Sequence, residues 1–434
     1  MSSTAVRRLH ARQILDSRGR PTVEVDVELA SGVMGRAAVP SGASTGSAEA
    51  HELRDGDLQH YGGLGVLRAV ANVKGEIGRA LSGVEALEQS DVDARLRELD
   101  GTANLARLGA NAVLGVSMAV CRAAAVASQQ PLYAHVAALA GCTRISMPLP
   151  MVNVLSGGLH AARGMDIQDF LAVPIGAHST VEAIEMASRV RAAASEISAE
   201  RGLPTLLADE GGLSPGFVHA TDALDLMMHA FERAGLEPGR DIAIAMDVAA
   251  TELESSPGTY HFAREGLTIT SHEVATLVQS WLREYPIVSV EDPLAEDDWK
   301  AWCALTREVS MQTQLVGDDL FATQPERLAR GARSGAANAV LIKLNQNGTV
   351  TGTLQTLREA RAHGYSTIVS ARSGETEDAF MADLAVGTAA GQIKIGSLRS
   401  SERLAKYNQL IRIEGEAVAP FAGAAVLAGF TGRE

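Results

Sequence analysis

Apolar and polar residues alternate near the start of the chain and then recur at helical spacing, which predicts a mixed α+β unit. Residues 22–29 (TVEVDVEL) alternate as in an antiparallel strand with one buried face. Across residues 65–139, Ala, Leu and Val recur at helical spacing, so this stretch is predicted to be mainly helical. The proline-rich stretch at 146–154 (SMPLPMVNV) indicates a boundary. We therefore predict an N-terminal α+β capping domain over residues 1–140 and a second domain over 141–434.

In the second domain, short apolar runs alternate with helical segments, and most of the runs end in a charged residue. Successive charged positions lie 22 to 44 residues apart, which fits one strand, one loop and one helix per step. They are Asp247, Glu291, Asp318, Lys343 and Arg372, with Lys394 inside the next run. Reactive groups at the C-terminal ends of apolar strands are typical of a (β/α)₈ barrel, so we predict this α/β fold. The alternative is a doubly wound open sheet, but the chain has neither GxGxxG after a strand nor GxxxxGK[ST].

Composition narrows the class of partner. The 434 residues are 46% apolar and 21% charged, as in an ordinary globular protein, and their formal net charge is −14. Such an acidic chain repels nucleic acid and anionic membranes, so we expect neither as a partner. The three cysteines lie far apart, and the sequence shows neither a secretory signal nor an apolar run of about 20 residues. These features predict a reducing, cytoplasmic location.

Three of the strand-end residues are carboxylates on successive predicted strands. Asp247, Glu291 and Asp318 would converge at one rim of the barrel and repel one another unless a cation or a proton neutralised them. Ligation through oxygen atoms alone suits Mg²⁺, so the three residues together predict a magnesium site. The alternative is that each one is a solvated loop acid.

Lysine is rare in this chain, which makes its position informative. Only five of the 38 basic residues are lysines, and Lys343 and Lys394 fall on predicted barrel strands. Near a dication a lysine loses proton affinity and can act as a base, whereas arginine stays protonated. Arg372 and Ser373 offer donors for a phosphate or carboxylate. A cation, a base and an anion clamp at one rim suggest proton abstraction α to a carboxylate. The alternative is that the two lysines form ordinary salt bridges.

From about residue 8 to 415 the chain resembles the enolase family. The matching runs include ARQILDSRG (11–19), AAVPSGASTG (37–46), ELRDGD (52–57), DEGG (209–212), YPIVSVEDPLAEDDW (285–299), LVGDDLFAT (315–323), LIKLNQNGT (341–349), RSGETED (372–378), AVGTAAGQIK (385–394) and KYNQLIRIE (406–414). The resemblance implies an α+β cap on a barrel, two Mg²⁺ ions per site and a small anionic substrate with a carboxylate and a phosphate or phosphonate. It also implies a homodimer or dimer-based oligomer. Enolase-superfamily enzymes use a Lys or His base with Mg²⁺.

The resemblance also implies individual roles. Ligands of the first Mg²⁺ would be Asp247, Glu291 and Asp318, and Ser44 would contact the second. Lys343 would be the general base, and Lys394 would contact the substrate carboxylate. Arg372 and Ser373 would bind the phosphate, and Glu210 would help the β-hydroxyl to leave. His160 and Gln168 would line the substrate pocket.

The departures from the family pattern cluster on one side of the expected site. Asp169 stands where the family has a catalytic glutamate, and Ala371 stands where it has the histidine of SHRSGETED. Arg163 and Ser156 each replace an asparagine in the loop that precedes Asp169. In the family, the glutamate and histidine surround the hydroxyl that leaves as water. The base, metal and clamp positions therefore match, while the leaving-group side differs.

Three functions are compatible with this pattern. The favoured hypothesis is a diverged enzyme acting on a compound like 2-phosphoglycerate or phosphoenolpyruvate, in particular carboxyphosphonoenolpyruvate synthesis in phosphonate natural-product biosynthesis. An extra carboxylate on such a substrate could meet Arg163 in the space freed at Ala371. The second hypothesis is an ordinary 2-phosphoglycerate dehydratase of glycolysis. The third is a non-catalytic binding protein on the same scaffold.

Overall fold

The computed structural model describes residues 2–43, 46–417 and 419–429. Its N-terminal sheet is antiparallel, in the order β1 (Val6–Leu15), β2 (Pro21–Leu29) and β3 (Met34–Ala38). The predicted alternation of β2 is confirmed, because Val23, Val25 and Val27 are buried. These valines form the face on which the helices of this region pack.

The helices that follow cover the buried face of the sheet. They are α1 (Leu67–Asn72), α2 (Gly78–Leu81), α3 (Gln89–Asp100), α4 (Ala110–Ala127) and α5 (Leu132–Ala140), with a π-helical turn at Val73–Ile77. Helix α4 lies against β2 and β3 at close range, since a Cβ at Gly35 would collide with the carbonyl of Ala119. Helix α4 also has the length and hydropathy of a membrane span, but 83% of it is buried, as in a core helix.

Eight strands close the predicted barrel. They are β4 (Leu149–Ser156), β5 (Asp169–Val173), β6 (Ala243–Asp247), β10 (Ile287–Glu291), β11 (Gln314–Gly317), β12 (Ala339–Ile342), β13 (Ser366–Ser370) and β14 (Gly391–Gly396). A small antiparallel sheet of β7 (Glu254–Ser256), β8 (Thr259–Phe262) and β9 (Leu267–Thr270) is inserted after β6. The α/β barrel fold is therefore confirmed, while the boundary near residue 140 stays a prediction.

Helices surround the barrel strands. They are α6 (Thr180–Glu200), α7 (Ala220–Arg233), α8 (Ser271–Glu284), α9 (Trp299–Val309), α10 (Pro325–Ser334), α11 (Leu344–Asn347), α12 (Val350–Ala362), α13 (Phe380–Gly387) and α14 (Ser401–Glu416). Side-chain caps fix several starts: Thr270 and Glu273 form a reciprocal capping box at α8, and Asp298 caps α9.

One barrel strand runs opposite to the regular βα repeat that the sequence suggested. Strand β5 is antiparallel to both β4 and β6. Residues 157–168 connect β4 to β5 with only a short 3₁₀ turn (Gly158–Ala161), whereas a parallel crossover usually contains an α-helix. The reversal puts the first residue of β5, Asp169, opposite the last residue of β6, Asp247. Asp169 therefore lies at the rim where the other strands end.

The interior of the barrel is packed and closed at the end opposite this rim. Apolar side chains from β4, β5, β6, β10, β11, β12 and β13 form one buried cluster, to which the C-terminal segment adds Leu427. Within the barrel, Gln314 and Gln392 bond each other through both amide groups, at 2.8 and 3.2 Å. Buried charged side chains lie instead at the opposite rim, where the candidate site is found.

Candidate active site

The three predicted carboxylates meet at the barrel rim. Asp247 ends β6, Glu291 ends β10, and Asp318 directly follows β11. Strands β6 and β10 pair so that Asp247 and Glu291 are direct neighbours. All three side chains are buried. The three residues therefore lie on one buried rim. Among the described residues, however, the carboxylates at this rim whose oxygens all come within 4.8 Å of one another are Asp292, Asp318 and Asp319. The role of Asp247, Glu291 and Asp318 as joint ligands remains a prediction.

Two lysines serve as counter-ions to this group. Lys394 Nζ lies 2.8 Å from Asp247 Oδ2 and 2.7 Å from Glu291 Oε2. Lys343, directly after β12, forms a short ion pair with Asp318. Both predicted lysines are thus in contact with the carboxylates, and the acidic rim is partly neutralised by the chain itself.

The pKa values of two of these carboxylates shift in opposite directions. Burial and the neighbouring Asp247 raise the pKa of Glu291 well above its usual value. Burial alone would also raise the pKa of Asp247, but the Lys394 ammonium outweighs it and lowers that pKa to about 2. Glu291 Oε1 has no hydrogen-bond partner among the described residues. Three buried carboxylates with an uncommitted oxygen fit a hard divalent cation such as Mg²⁺. Ser44, expected at a second ion, lies outside the described residues.

The expected anion clamp follows β13 and faces the N-terminal domain. Arg372 Nη1 lies 2.9 Å from both Glu49 Oε2 and Asn345 Oδ1. Ser373 Oγ accepts a hydrogen bond from Arg18 Nη1 at 3.1 Å. Both clamp residues therefore bind partners that the sequence did not suggest, and two of these partners come from the other domain.

A buried cationic layer from α14 supports the clamp. Arg403 donates to the carbonyls of Arg372 and Ser373, each at 2.7 Å. Lys406 lies 2.9 Å from Glu375, whose other oxygen accepts the Arg372 backbone N–H at 3.0 Å. Arg403 and Lys406 are both fully buried, so this layer fixes the backbone that carries the guanidinium.

On the leaving-group side, Asp169 is enclosed in a hydrogen-bond network. Its Oδ1 accepts from Asn153 Nδ2 at 2.6 Å and from Ser156 Oγ at 2.7 Å. Its Oδ2 lies 3.1 Å from His160 Nδ1. Asp169 is 0% exposed, and two of the residues that depart from the family pattern, Ser156 and Asp169, bond each other directly.

His160 and Glu210 complete this side of the site. Burial alone would lower the pKa of His160, but Asp169 and Glu210 raise it above its usual value. One ligand-type atom from each of these three residues falls within 4.8 Å of the others. Glu210 Oε2 has no partner among the described residues, and Gln168 Nε2 donates to Asp247 Oδ2 at 3.2 Å. Of the predicted site residues, His160, Gln168, Asp169 and Glu210 therefore lie together.

Ala371 and Arg163 occupy different environments. Ala371 is buried in the main apolar core cluster, and its backbone N–H donates to the carbonyl of Lys394 at 2.8 Å. Arg163 has a 59% exposed side chain and pairs with Glu252 at 3.2 Å. The expectation that Arg163 lies beside Ala371 in a substrate pocket therefore has no support from its position, since its charge faces solvent and an acid of the loop after β6.

Several residues of the site were not assigned a role from the sequence. Glu49 and Arg18 reach the rim from the N-terminal domain, and Arg403 reaches it from α14. Asn153 lies inside β4, which the barrel pattern did not identify. Two of the missed residues carried a usable signal. Arg18 lies in the matching run 11–19, and Lys406 is a lysine in a chain where lysine is rare.

Comparison with protein families covers nearly the whole chain. Residues 144–429 match the family model described as "Enolase, C-terminal TIM barrel domain". Residues 6–136 match the family model described as "Enolase, N-terminal domain". These two matches cover both structural regions whose residues form the candidate site.

Proposed function

The chain belongs to the enolase family, and from that premise we propose that it is a Mg²⁺-dependent enzyme that removes the proton α to a carboxylate. The substrate would be a small phosphate or phosphonate that carries this carboxylate, such as a relative of 2-phosphoglycerate or phosphoenolpyruvate. Bound to Asp247, Glu291 and Asp318, Mg²⁺ would supply positive charge to the developing enolate.

The retained residues have separate tasks in this proposal. Lys343 takes the α-proton, Lys394 binds the substrate carboxylate, and Arg372 with Ser373 holds the phosphoryl or phosphonyl group. The support for these tasks is positional, because the two ammonium groups and the carboxylates share one buried rim. A rim of this kind excludes water and keeps the charges in fixed places, which is the main requirement for stabilising an enolate.

The network around Asp169 is the observation that most favours a reaction other than simple dehydration. Aspartate is shorter than glutamate by one C–C bond, roughly 1.5 Å. Here the shorter carboxylate already accepts hydrogen bonds from Asn153 and Ser156 and faces His160. A carboxylate with so many neighbours is poorly placed to move a proton onto a departing hydroxyl. We infer that dehydration of 2-phosphoglycerate to free phosphoenolpyruvate is not the main reaction.

Magnitudes support the same inference. A catalytic group displaced by about 1 Å can lose on the order of 10²-fold in rate. Removing a proton-transfer residue, as at Ala371, typically loses 10²–10⁴-fold. A glycolytic dehydratase carrying both changes would be a poor catalyst. We therefore propose carboxyphosphonoenolpyruvate synthesis, in which the extra group of a larger substrate occupies space left beside Ala371.

The test is a product analysis with two substrate mixtures. Purified protein with Mg²⁺ is incubated with 2-phosphoglycerate, alone or with phosphonoformate, and followed by ³¹P NMR beside a glycolytic enolase. We expect little phosphoenolpyruvate from the first mixture. From the second we expect a phosphonoformate ester of enolpyruvate, with one water and one inorganic phosphate released for each ester formed. Conversion of 2-phosphoglycerate at the rate of the reference enzyme would overturn the proposal.

A matched variant tests whether the two substituted positions set the chemistry. The double change Asp169→Glu with Ala371→His restores the family residues, and we expect it to gain dehydration and lose the native reaction. The matched control is Asp169→Glu alone, which adds a methylene to a fully buried position without restoring the histidine. If the double variant gains no dehydration, these positions do not decide between the two reactions.

One observation favours dehydration of 2-phosphoglycerate as the second candidate. Glu210 is buried, and its Oε2 has no partner among the described residues, so a carboxylate remains at the position that helps the hydroxyl leave. The ³¹P NMR assay separates the two candidates directly. For either candidate we also propose a homodimer or dimer-based oligomer, which sedimentation analysis of the purified chain would test.

A further inference from the structure

Glu49 and Arg372 form a two-pronged ion pair between the N-terminal domain and the barrel rim. Arg372 Nη1 lies 2.9 Å from Glu49 Oε2, and Nη2 lies 3.2 Å from Oε1. The two side chains are only 6% and 4% exposed. This paired geometry is the one by which a guanidinium binds a carboxylate or a phosphate. The group expected to bind the substrate anion is therefore already bound by an anion of the chain.

Glu49 is held in this position by groups on both sides of it. Its Oε1 also accepts from the backbone N–H of Gly46 at 3.1 Å and from Gln346 Nε2 at 3.3 Å. Gln346 Nε2 in turn donates to Asp318 Oδ1 at 2.8 Å. Glu49 is thus connected to the carboxylate group of the barrel rim and is not a freely moving surface acid.

The ion pair balances the positive charge of the buried Arg372 side chain when no substrate is bound. A buried guanidinium that loses a carboxylate bound to it in this paired geometry is destabilised by several kcal/mol. Glu49 satisfies Arg372 when no substrate is present, and an incoming anion must therefore compete with it. A singly charged group gains no Coulombic energy by replacing a carboxylate, whereas a doubly charged group does.

We propose that Glu49 is a specificity-determining residue, an internal counter-anion of Arg372 that a dianionic phosphoryl or phosphonyl group displaces and a monoanionic group does not. The inference rests on the proposed function, in which Arg372 holds that group of the substrate. It narrows the substrate class to compounds whose group at the clamp carries two negative charges. Sulfonates and second carboxylates at the same position are rejected.

The experiment uses two probes of nearly equal shape and different charge. Methylphosphonate is mostly a dianion in mildly alkaline buffer, and methanesulfonate is a monoanion. Each competes against phosphonoacetohydroxamate, an enolate mimic, in calorimetric titrations of the Mg²⁺-saturated protein. For the unmodified protein we expect methylphosphonate to bind at least about tenfold more tightly than methanesulfonate.

The variant Glu49→Gln removes the internal anion, and the ratio of the two affinities is expected to fall by about tenfold as methanesulfonate becomes a competitor. The matched control is Glu52→Gln, which removes an acid of the same segment that pairs with Arg54 at 2.8 Å. It should keep the ratio of the unmodified protein. If Glu49→Gln does not fold, as judged by circular dichroism, Glu49→Ala carries the same expectation.

An unchanged ratio in the folded Glu49 variant would overturn the proposal, as would a fall of equal size in Glu52→Gln. A third variant, Arg372→Gln, separates this outcome from failure of the proposed function. If Arg372→Gln binds methylphosphonate as tightly as the unmodified protein, the clamp assignment itself is wrong. If it loses that binding while Glu49→Gln keeps the ratio, only the role of Glu49 is wrong.

Discussion

Replacing Asp169 by Asn changes one charge in the buried network and almost nothing in its shape. An amide oxygen can still accept from Asn153 and Ser156, which now donate at 2.6 and 2.7 Å. The second oxygen, 3.1 Å from His160 Nδ1, becomes an NH₂ group that cannot accept. The variant therefore loses the contact between the carboxylate and the His160 imidazole, which is strongest when the imidazole is protonated, and keeps the rest.

The size and the pH dependence of the loss follow from His160. Its pKa is raised in the folded protein, because Asp169 and Glu210 outweigh the effect of burial. A raised pKa stabilises the fold at pH values below the unfolded value of about 6.5, and this contribution disappears as pH rises through the folded value. A hydrogen bond to a charged group contributes about 1.5–3 kcal/mol. We expect Asp169→Asn to lower the free energy of unfolding by about 2 kcal/mol in mild acid, with the difference shrinking as pH rises.

Urea denaturation from about pH 6 to about pH 10 measures this difference. The control is Asp166→Asn in the same loop, where the carboxylate accepts hydrogen bonds from the backbone N–H groups of Arg264 and Glu265. Its effect should not vary with pH across this range. A loss in Asp169→Asn that is equal at every pH, or that grows with pH, would refute the assigned charge state of His160.

Three further predictions concern the base, the metal and the clamp. Lys343→Ala should lower turnover by 10²–10⁴-fold, whereas the exposed Lys300→Ala should leave turnover unchanged in the same assay. In thermal denaturation, Mg²⁺ at about 100 times its Kd should add about 2.7 kcal/mol of stability, and Glu291→Gln should remove most of this gain. Arg403→Met should lower the free energy of unfolding, measured in urea, by about 3–5 kcal/mol, because the variant loses a fully buried cation that donates to two backbone carbonyls. A change below about 1 kcal/mol would contradict the supporting role of Arg403.

The barrel was predictable where a strand is mainly apolar and ends in a charged residue. Strands β6 and β10 show this pattern, and both lie where the sequence analysis expected them. Strands β4 and β5 were missed, because β4 lies in a proline-rich stretch and β5 carries its charged residue at its start. The functional position of Asp169 came only from the family resemblance, since a rule about strand ends cannot locate a residue that begins a reversed strand.

The site was predictable as far as it is built from local patterns. The carboxylates and lysines of the rim each follow or lie within an apolar run. The partners of Arg372 were not predictable, because Glu49 belongs to another domain and Arg403 lies on a helix with no motif of its own. Contacts between segments more than 300 residues apart depend on how the domains pack, as for Glu49 and Arg372, which are 323 residues apart.

The most direct test of the account is the fate of the α-proton of 2-phosphoglycerate in deuterated water. With Mg²⁺ and the purified protein, ¹H NMR follows loss of the C2 proton signal while ³¹P NMR follows phosphoenolpyruvate. A working base with an altered leaving-group side predicts exchange of the C2 proton that runs well ahead of dehydration and disappears in Lys343→Ala. Phosphoenolpyruvate appearing as fast as the C2 proton is lost, or exchange that persists in Lys343→Ala, would contradict it.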